Sequence, residues 1–84
     1  MKVKKLLDKL KDILSAERQA QLTKYKSLKK VLKSLRVEKT RLKEELKSIP
    51  DEQARQEVTT RLKVISEQRK KGIKLLKELK KQRG

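Results

Sequence analysis

The residues with the clearest chemical potential are lysines and arginines, which are concentrated in two segments of the chain. Residues 24–37 carry six basic and no acidic side chains, and residues 69–84 carry eight basic side chains against one acidic residue, Glu78. Ammonium and guanidinium groups attract phosphates, carboxylates and other anions. The two segments therefore predict binding to an anionic partner. The candidate anion-binding residues are Lys24, Lys26, Lys29, Lys30, Lys33, Arg36, Lys70, Lys71, Lys74, Lys77, Lys80 and Lys81.

The chain lacks residue types that commonly serve in catalysis and in metal binding. The chain has no Cys and no His, which removes thiolate ligands, the commonest general base and the commonest transition-metal ligand. Neighbouring carboxylates, as in Glu44-Glu45 and Asp51-Glu52, project in different directions from a helix and cannot form a two-carboxylate catalytic pair. We therefore predict a non-enzymatic protein without a metal, a cofactor or a small-molecule substrate.

The elements that position the basic residues are predicted to be helices. Ala, Glu, Lys, Leu and Arg supply 52 of the 84 residues, a composition typical of long helices and coiled coils. Apolar residues follow a heptad before Pro50, and no segment shows the alternation with a period of two that would indicate a strand. Proline disfavours helix at the residue before it and suits the first turn of a new helix, and a second apolar series follows Pro50. The sequence predicts long helices over 16–48 and 50–82, within a single helical domain over 1–84.

Two long helices joined by a short connection are expected to fold back as an antiparallel hairpin, which makes the fold class all-α. One register pairs the two apolar series without an insertion, so that Leu42 lies opposite Leu62 and Leu28 opposite Leu76. The predicted coiled-coil-like seam consists of Tyr25, Leu28, Leu32, Leu35, Leu42, Leu46, Val58, Leu62, Ile65, Leu76 and Leu79.

Three residues on the seam positions are unusual there. Lys39 and Arg69 either specify the register through a polar group or pack their aliphatic stems along the seam while their charges reach water, and the second interpretation is favoured. Gly72, opposite Leu32, costs roughly 1 kcal/mol in a helix interior relative to Ala. It indicates either a break in the second long helix at residue 72 or a close approach of two helices.

Residues 2–14 are predicted to form a short amphipathic helix. We expect it to break near Ser15, a candidate N-cap for the next helix, and the alternative is one unbroken rod that runs to Ser48. A two-helix hairpin buries a single apolar stripe, which is marginal for a short chain. The first helix could dock on the hairpin, or two hairpins could pair into a bundle, and the sequence does not choose between these. The apolar residues with helical spacing are Val3, Leu6, Leu7, Leu10, Ile13 and Leu14.

In the predicted register the two basic segments lie side by side with a joint charge of +13, and we call them the basic end (residues 24–37 and 69–84). Around the turn, residues 38–63 hold seven basic and six acidic groups, and we call this part the tip. The leading hypothesis is a self-associating interaction module, expected as a homodimer, whose basic end binds nucleic-acid backbone. With no Asn and one aromatic residue, sequence-specific readout is not expected.

The alternative is a coiled-coil protein–protein adaptor or assembly protein whose positive charge only keeps it soluble. Binding of the first helix to a membrane surface is disfavoured, because Asp8 and Asp12 share its polar face and no Trp or Phe is present. The longest apolar run is two residues, too short for a signal peptide or a membrane span. We therefore expect a soluble, intracellular protein of the cytoplasm.

Overall fold

The protein is built from four helices. The computed structural model describes residues 2–83, in which α1 spans Lys2–Ser15, α2 spans Arg18–Thr23, α3 spans Tyr25–Ser48 and α4 spans Glu52–Arg83. Helices α3 and α4 pack against each other as an antiparallel hairpin, and α1 packs against both. This part of the chain contains no strand, so the predicted fold class, an all-α hairpin preceded by a short amphipathic helix, is confirmed. Both ends of the predicted domain, Met1 and Gly84, lie outside the described residues.

The turn between α3 and α4 satisfies the backbone groups that two helix ends leave without partners. The backbone N–H of Ala54 donates to Oδ2 of Asp51 at 3.3 Å, so Asp51 caps the start of α4. The Arg55 guanidinium donates to the carbonyl of Leu46 at 2.9 Å and to that of Ile49 at 3.3 Å, which closes the end of α3. Helix α4 therefore begins at Glu52, two residues after the predicted start at Pro50.

Helices α3 and α4 approach each other closely at Gly72. A Cβ atom on Gly72 would lie 2.6 Å from Cδ2 of Leu32 and 3.0 Å from Cδ1 of Leu10. Helix α4 continues through Gly72, so close approach, and not a break in the helix, explains this glycine. Leu32 lies against Gly72, as the antiparallel register requires. Among the predicted seam residues, Leu28, Leu32, Leu35, Leu42, Ile65 and Leu79 are buried, and Tyr25, Leu46, Val58, Leu62 and Leu76 are half-buried.

Arg69 links the two long helices in the same region. Its side chain is partly buried, and Nε donates to the backbone carbonyl of Leu32 at 3.2 Å. The favoured interpretation placed this charge in water, whereas the structure directs one guanidinium N–H to the backbone of α3. Because the bond joins one residue of α4 to one residue of α3, Arg69 helps to set their register. Lys39, the other basic seam residue, is half-buried.

Helix α1 ends at Ser15 and docks on the hairpin, so the alternative of one unbroken rod is wrong. Leu10 is 0% exposed, and it forms one buried cluster with Ile13, Val31 of α3 and Leu75 of α4. Ser15 does not cap the next helix, because it is the last residue of α1 and its Oγ donates to the carbonyl of Asp12 at 3.2 Å. Docking of the first helix supplies the third apolar surface that a two-helix hairpin lacks.

The chain after Ser15 differs from the predicted continuous helix over 16–48. It forms α2 and α3, which meet at Lys24 with φ −92° and ψ 15°. Gln21 of α2 is only 7% exposed and donates from Nε2 to the carbonyls of Ile13 at 3.1 Å and Leu14 at 3.2 Å. Gln21 thereby satisfies carbonyls at the end of α1.

Candidate anion-binding surface

All twelve candidate anion-binding residues are exposed to solvent. The fold places eleven of them on two antiparallel helices, and Lys24 directly before α3. The basic segments lie side by side because α3 and α4 are paired at Leu32 and Gly72. The resulting rod measures 48 × 19 × 16 Å. A surface of this shape offers charges along its length.

Helix α1 gives the hairpin two different sides. Val31 and Leu75 would lie at the edge of a two-helix seam, yet both are buried together with Leu10 and Ile13 of α1. We call this covered side the α1 side. The opposite side of the hairpin has no third helix on it within the described residues.

Seven of the twelve basic residues project from the side opposite α1. Successive residues advance about 100° around a helix, so a residue two or five positions from another projects from nearly the opposite side. Seven basic residues have this spacing relative to Val31 on α3 or Leu75 on α4. We call the surface that they form the open face: Lys26, Lys29, Lys33, Arg36, Lys70, Lys77 and Lys80.

The other five candidates do not belong to the open face. Lys24 precedes Val31 by seven residues and Lys71 precedes Leu75 by four, so both lie on the α1 side. Lys24 lines a shallow groove there, between α1 and α3. The remaining three lie on the outer edges of the helices: Lys30, Lys74 and Lys81.

No carboxylate shares the open face at the basic end. The acidic residue of this end, Glu78, follows Leu75 by three positions and so lies on the α1 side. There its Oε2 accepts from both terminal nitrogens of Arg18 at 3.4 Å, in an ion pair with both side chains half exposed. Since the fold turns the acidic group away, the seven cations of the open face are opposed by no local negative charge.

Polar contacts on the open face are few. Nζ of Lys29 lies 6.0 Å from the centre of the Tyr25 ring, at the outer limit of a cation–π contact. The described side chains contain no group of three or more Asp or Glu residues arranged to hold a metal ion. The arrangement can attract and position an anion by charge.

Sequence reasoning missed two buried polar residues, Glu38 and Gln21. Glu38 is only 6% exposed, and its Oε1 lies 3.7 Å from an Arg41 nitrogen. A signal for its burial was present, because Glu38 follows Val31 by seven residues and so shares the α1 side. The role of Gln21 at the end of α1 had no such signal, since it depends on how α1 packs.

Comparison of the chain with protein-family models, curated proteins and solved structures gives no match. None of the helices in residues 2–83 combines the length and apolar character needed to cross a membrane. The case for a function therefore depends on the geometry and charge of the chain itself.

Proposed function

We propose that the protein is a non-enzymatic helical-hairpin module that binds nucleic-acid backbone through its basic end without sequence specificity. The observation that carries this proposal is the open face, where seven exposed cations from two helices lie together without a carboxylate. A surface charge that served only solubility would be mixed with acidic residues. The proposal includes a location in the cytoplasm, where nucleic acid is accessible.

The proposed mechanism is electrostatic. Cations that neutralise phosphates release condensed counterions, so the binding constant falls steeply as salt concentration rises. Lysines outnumber arginines 20 to 7 in the chain, and an ammonium group acts as a point charge without the bidentate geometry that reads bases. The module would therefore bind nucleic acid without recognising its base sequence.

The proposal is tested by measuring the affinity for duplex DNA and structured RNA at several salt concentrations. We expect binding at low salt and a loss of about tenfold or more in affinity between roughly 50 and 200 mM salt. Unrelated sequences of equal length should bind alike. Absence of binding at low salt, or an affinity indifferent to salt, would overturn the proposal.

Self-association as a homodimer is part of the proposal and concerns the tip. Beyond the reach of α1, the seam residues Leu46, Val58 and Leu62 are only half-buried, and Val64 is 42% exposed. The tip is nearly neutral, so two tips can meet without the repulsion that two basic ends would suffer. Light scattering should give twice the chain mass of 9.9 kDa at high concentration. A monomer at every concentration would remove this part of the proposal.

A second candidate function is a protein–protein adaptor whose charge is incidental. It is favoured by one observation, the exposure of Val37 at 60% and of Val64 at 42% on helices that are otherwise well patterned. If these valines carry the function, Val37→Ser and Val64→Ser should abolish association with the chain's protein partner or with its own second copy, and should leave nucleic-acid affinity unchanged. Loss of nucleic-acid binding in the open-face variants described below would argue against this candidate.

A further inference from the structure

The open face continues beyond the basic end into the tip. On α3, buried Glu38 marks the α1 side, and Lys43 follows it by five positions. On α4, half-buried Gln68 precedes Leu75 by seven positions, and Lys63 precedes Gln68 by five. The tip is nearly neutral as a whole, but its charges are therefore sorted, with these lysines on the open face.

Three of the six acidic residues of the tip, Glu38, Glu45 and Glu57, lie on the α1 side. Glu45 follows Glu38 by seven positions and shares the α1 side, and Lys47, two positions further, returns to the open face. Glu57 also belongs to the α1 side, three positions after Ala54. Within residues 2–82, two carboxylates reach the open face: Glu52, at the first turn of α4, and Glu44, whose Oε1 lies 3.4 Å from Nζ of Lys47. The charge of the molecule therefore differs between its two sides as well as between its two ends.

The extended open face has two rows of cations. At 1.5 Å per residue, the α3 row from Lys26 to Lys47 is about 32 Å long, and the α4 row from Lys63 to Lys80 is about 26 Å long. Packed helices lie about 8–10 Å apart, which falls between the widths of the minor and major grooves of a B-form duplex, roughly 6 and 12 Å. Long lysine stems let each row reach one of the two strands that border a groove.

We propose that the open face, including Lys43, Lys47 and Lys63, is a docking surface for double-stranded nucleic acid that lies along the rod. This inference rests on the proposed function and names its partner. A duplex carries one negative charge per about 1.7 Å, on two strands that border each groove at a fixed width, so two fixed rows of cations meet it without ordering a flexible chain.

Single strands, membranes and acidic proteins fit this surface less well. Single-stranded nucleic acid is held by aromatic side chains on which bases stack, and the single aromatic residue, Tyr25, is half-buried at the seam. A membrane surface takes a broad apolar face with Trp or Phe between cations. The chain has neither residue, and the apolar side chain exposed beside Lys33 and Arg36 is the small one of Val37. An acidic protein presents no uniform double line of charge to match the rows.

The first experiment compares nucleic acids. The full-length chain is titrated with a duplex of about 15 base pairs, which at 3.4 Å per pair is longer than either row, and with one of its separated strands. We expect the duplex to bind at least about tenfold more tightly at equal salt, with poly-glutamate and anionic lipid vesicles competing poorly. Equal affinity for the single strand, or equally tight binding of polyglutamate or vesicles, would overturn the inference.

The second experiment maps the surface with matched variants. The open-face variant combines Lys26→Gln, Lys33→Gln, Lys70→Gln and Lys77→Gln. Its control removes the same four charges from α1 and the α1 side, by Lys9→Gln, Lys11→Gln, Lys24→Gln and Lys71→Gln. All eight lysines are exposed, and circular dichroism checks that both variants keep their helical content.

We expect the open-face variant to lose at least about tenfold in duplex affinity and up to about four units of salt slope, one per lost phosphate contact. The control should lose at most about threefold, because its lysines act only through screened long-range charge. Equal losses in the two variants would overturn the assignment to the open face.

A third variant separates this inference from the proposed function. Lys43→Gln with Lys63→Gln changes the tip alone, and we expect a loss of about two units of salt slope. If the tip variant binds like the unmodified chain while the open-face variant does not, the duplex does not lie along the rod, yet the basic end still binds nucleic acid. If the unmodified chain binds no nucleic acid at all, both proposals fail.

Discussion

At the scale of single residues, the hairpin depends on a missing side chain. Leu32 occupies the space that a Cβ on Gly72 would need, and Leu10 of α1 reaches the same point, so three helices converge there. Glycine normally weakens a helix interior, by roughly 1 kcal/mol relative to alanine. At position 72, this loss of helix stability is offset by the close contact that the absence of a side chain allows between the helices.

Gly72→Ala tests this exchange. We expect a net loss of about 0.5–2 kcal/mol in the free energy of unfolding, because overpacking at Leu32 exceeds the gain in helix propensity. Urea denaturation measures it, and the double variant with Leu32→Ala should recover part of the loss relative to the sum of the single changes. A chain stabilised by about 1 kcal/mol would show that propensity alone decides and that Leu32 moves aside freely.

A second residue-scale prediction concerns Gln21. Its buried amide donates to two carbonyls at the end of α1, so Gln21→Ala should leave acceptors without partners and cost about 1–3 kcal/mol. Gln19→Ala is the matched control, because Gln19 is exposed on the same short helix. Amide hydrogen exchange should also show loss of protection in the last turn of α1. Equal stability of the two variants would contradict the capping role.

At the scale of elements, the sequence predicts the two long helices and the turn. The heptad spacing of the apolar residues, Pro50 and the acidic residues Asp51 and Glu52 after it all indicate this structure. The sequence also places eleven of the twelve basic residues on the correct long helix, and the exception is Lys24, between α2 and α3. It could not separate the open face from the α1 side, since that division exists only after α1 docks over Val31 and Leu75. The interruption between α2 and α3 at Lys24 was not predicted either. The role of Gln21 escaped for the same reason as the open face, because Gln21 looks like an interruption of an apolar stripe until α1 gives it partners.

Docking of α1 is therefore the element-scale interaction to test. Leu10→Ala removes a fully buried side chain at the three-helix contact, and we expect a loss of about 2–4 kcal/mol with the largest change in protection in α1. Val37→Ala, on an exposed site of α3, should change stability by less than about 0.5 kcal/mol. If the two variants unfold at the same urea concentration, α1 contributes little to the fold.

At the scale of the whole molecule, the charge that suits a polyanion opposes folding. The chain carries a net charge of +16, and the ion pairs Arg18–Glu78, Arg41–Glu38 and Lys47–Glu44 each involve at least one well-exposed side chain. Such pairs contribute little, typically 0–1 kcal/mol. The rod must therefore be held together by its apolar cluster against repulsion between its own lysines.

Stability should consequently rise with salt. Between low salt and about 0.3 M sodium chloride we expect the melting temperature to increase by several degrees, since 1 kcal/mol corresponds to about 4–8 °C in a domain of this size. The open-face variant Lys26→Gln, Lys33→Gln, Lys70→Gln and Lys77→Gln should melt higher than the unmodified chain at low salt and respond less to added salt. Thermal denaturation followed by circular dichroism measures both. A melting temperature that falls with salt would show that ion pairs, and not repulsion, dominate the surface. A variant that is more stable than the unmodified chain but binds duplex more weakly would show that these lysines destabilise the fold and stabilise the complex with the duplex.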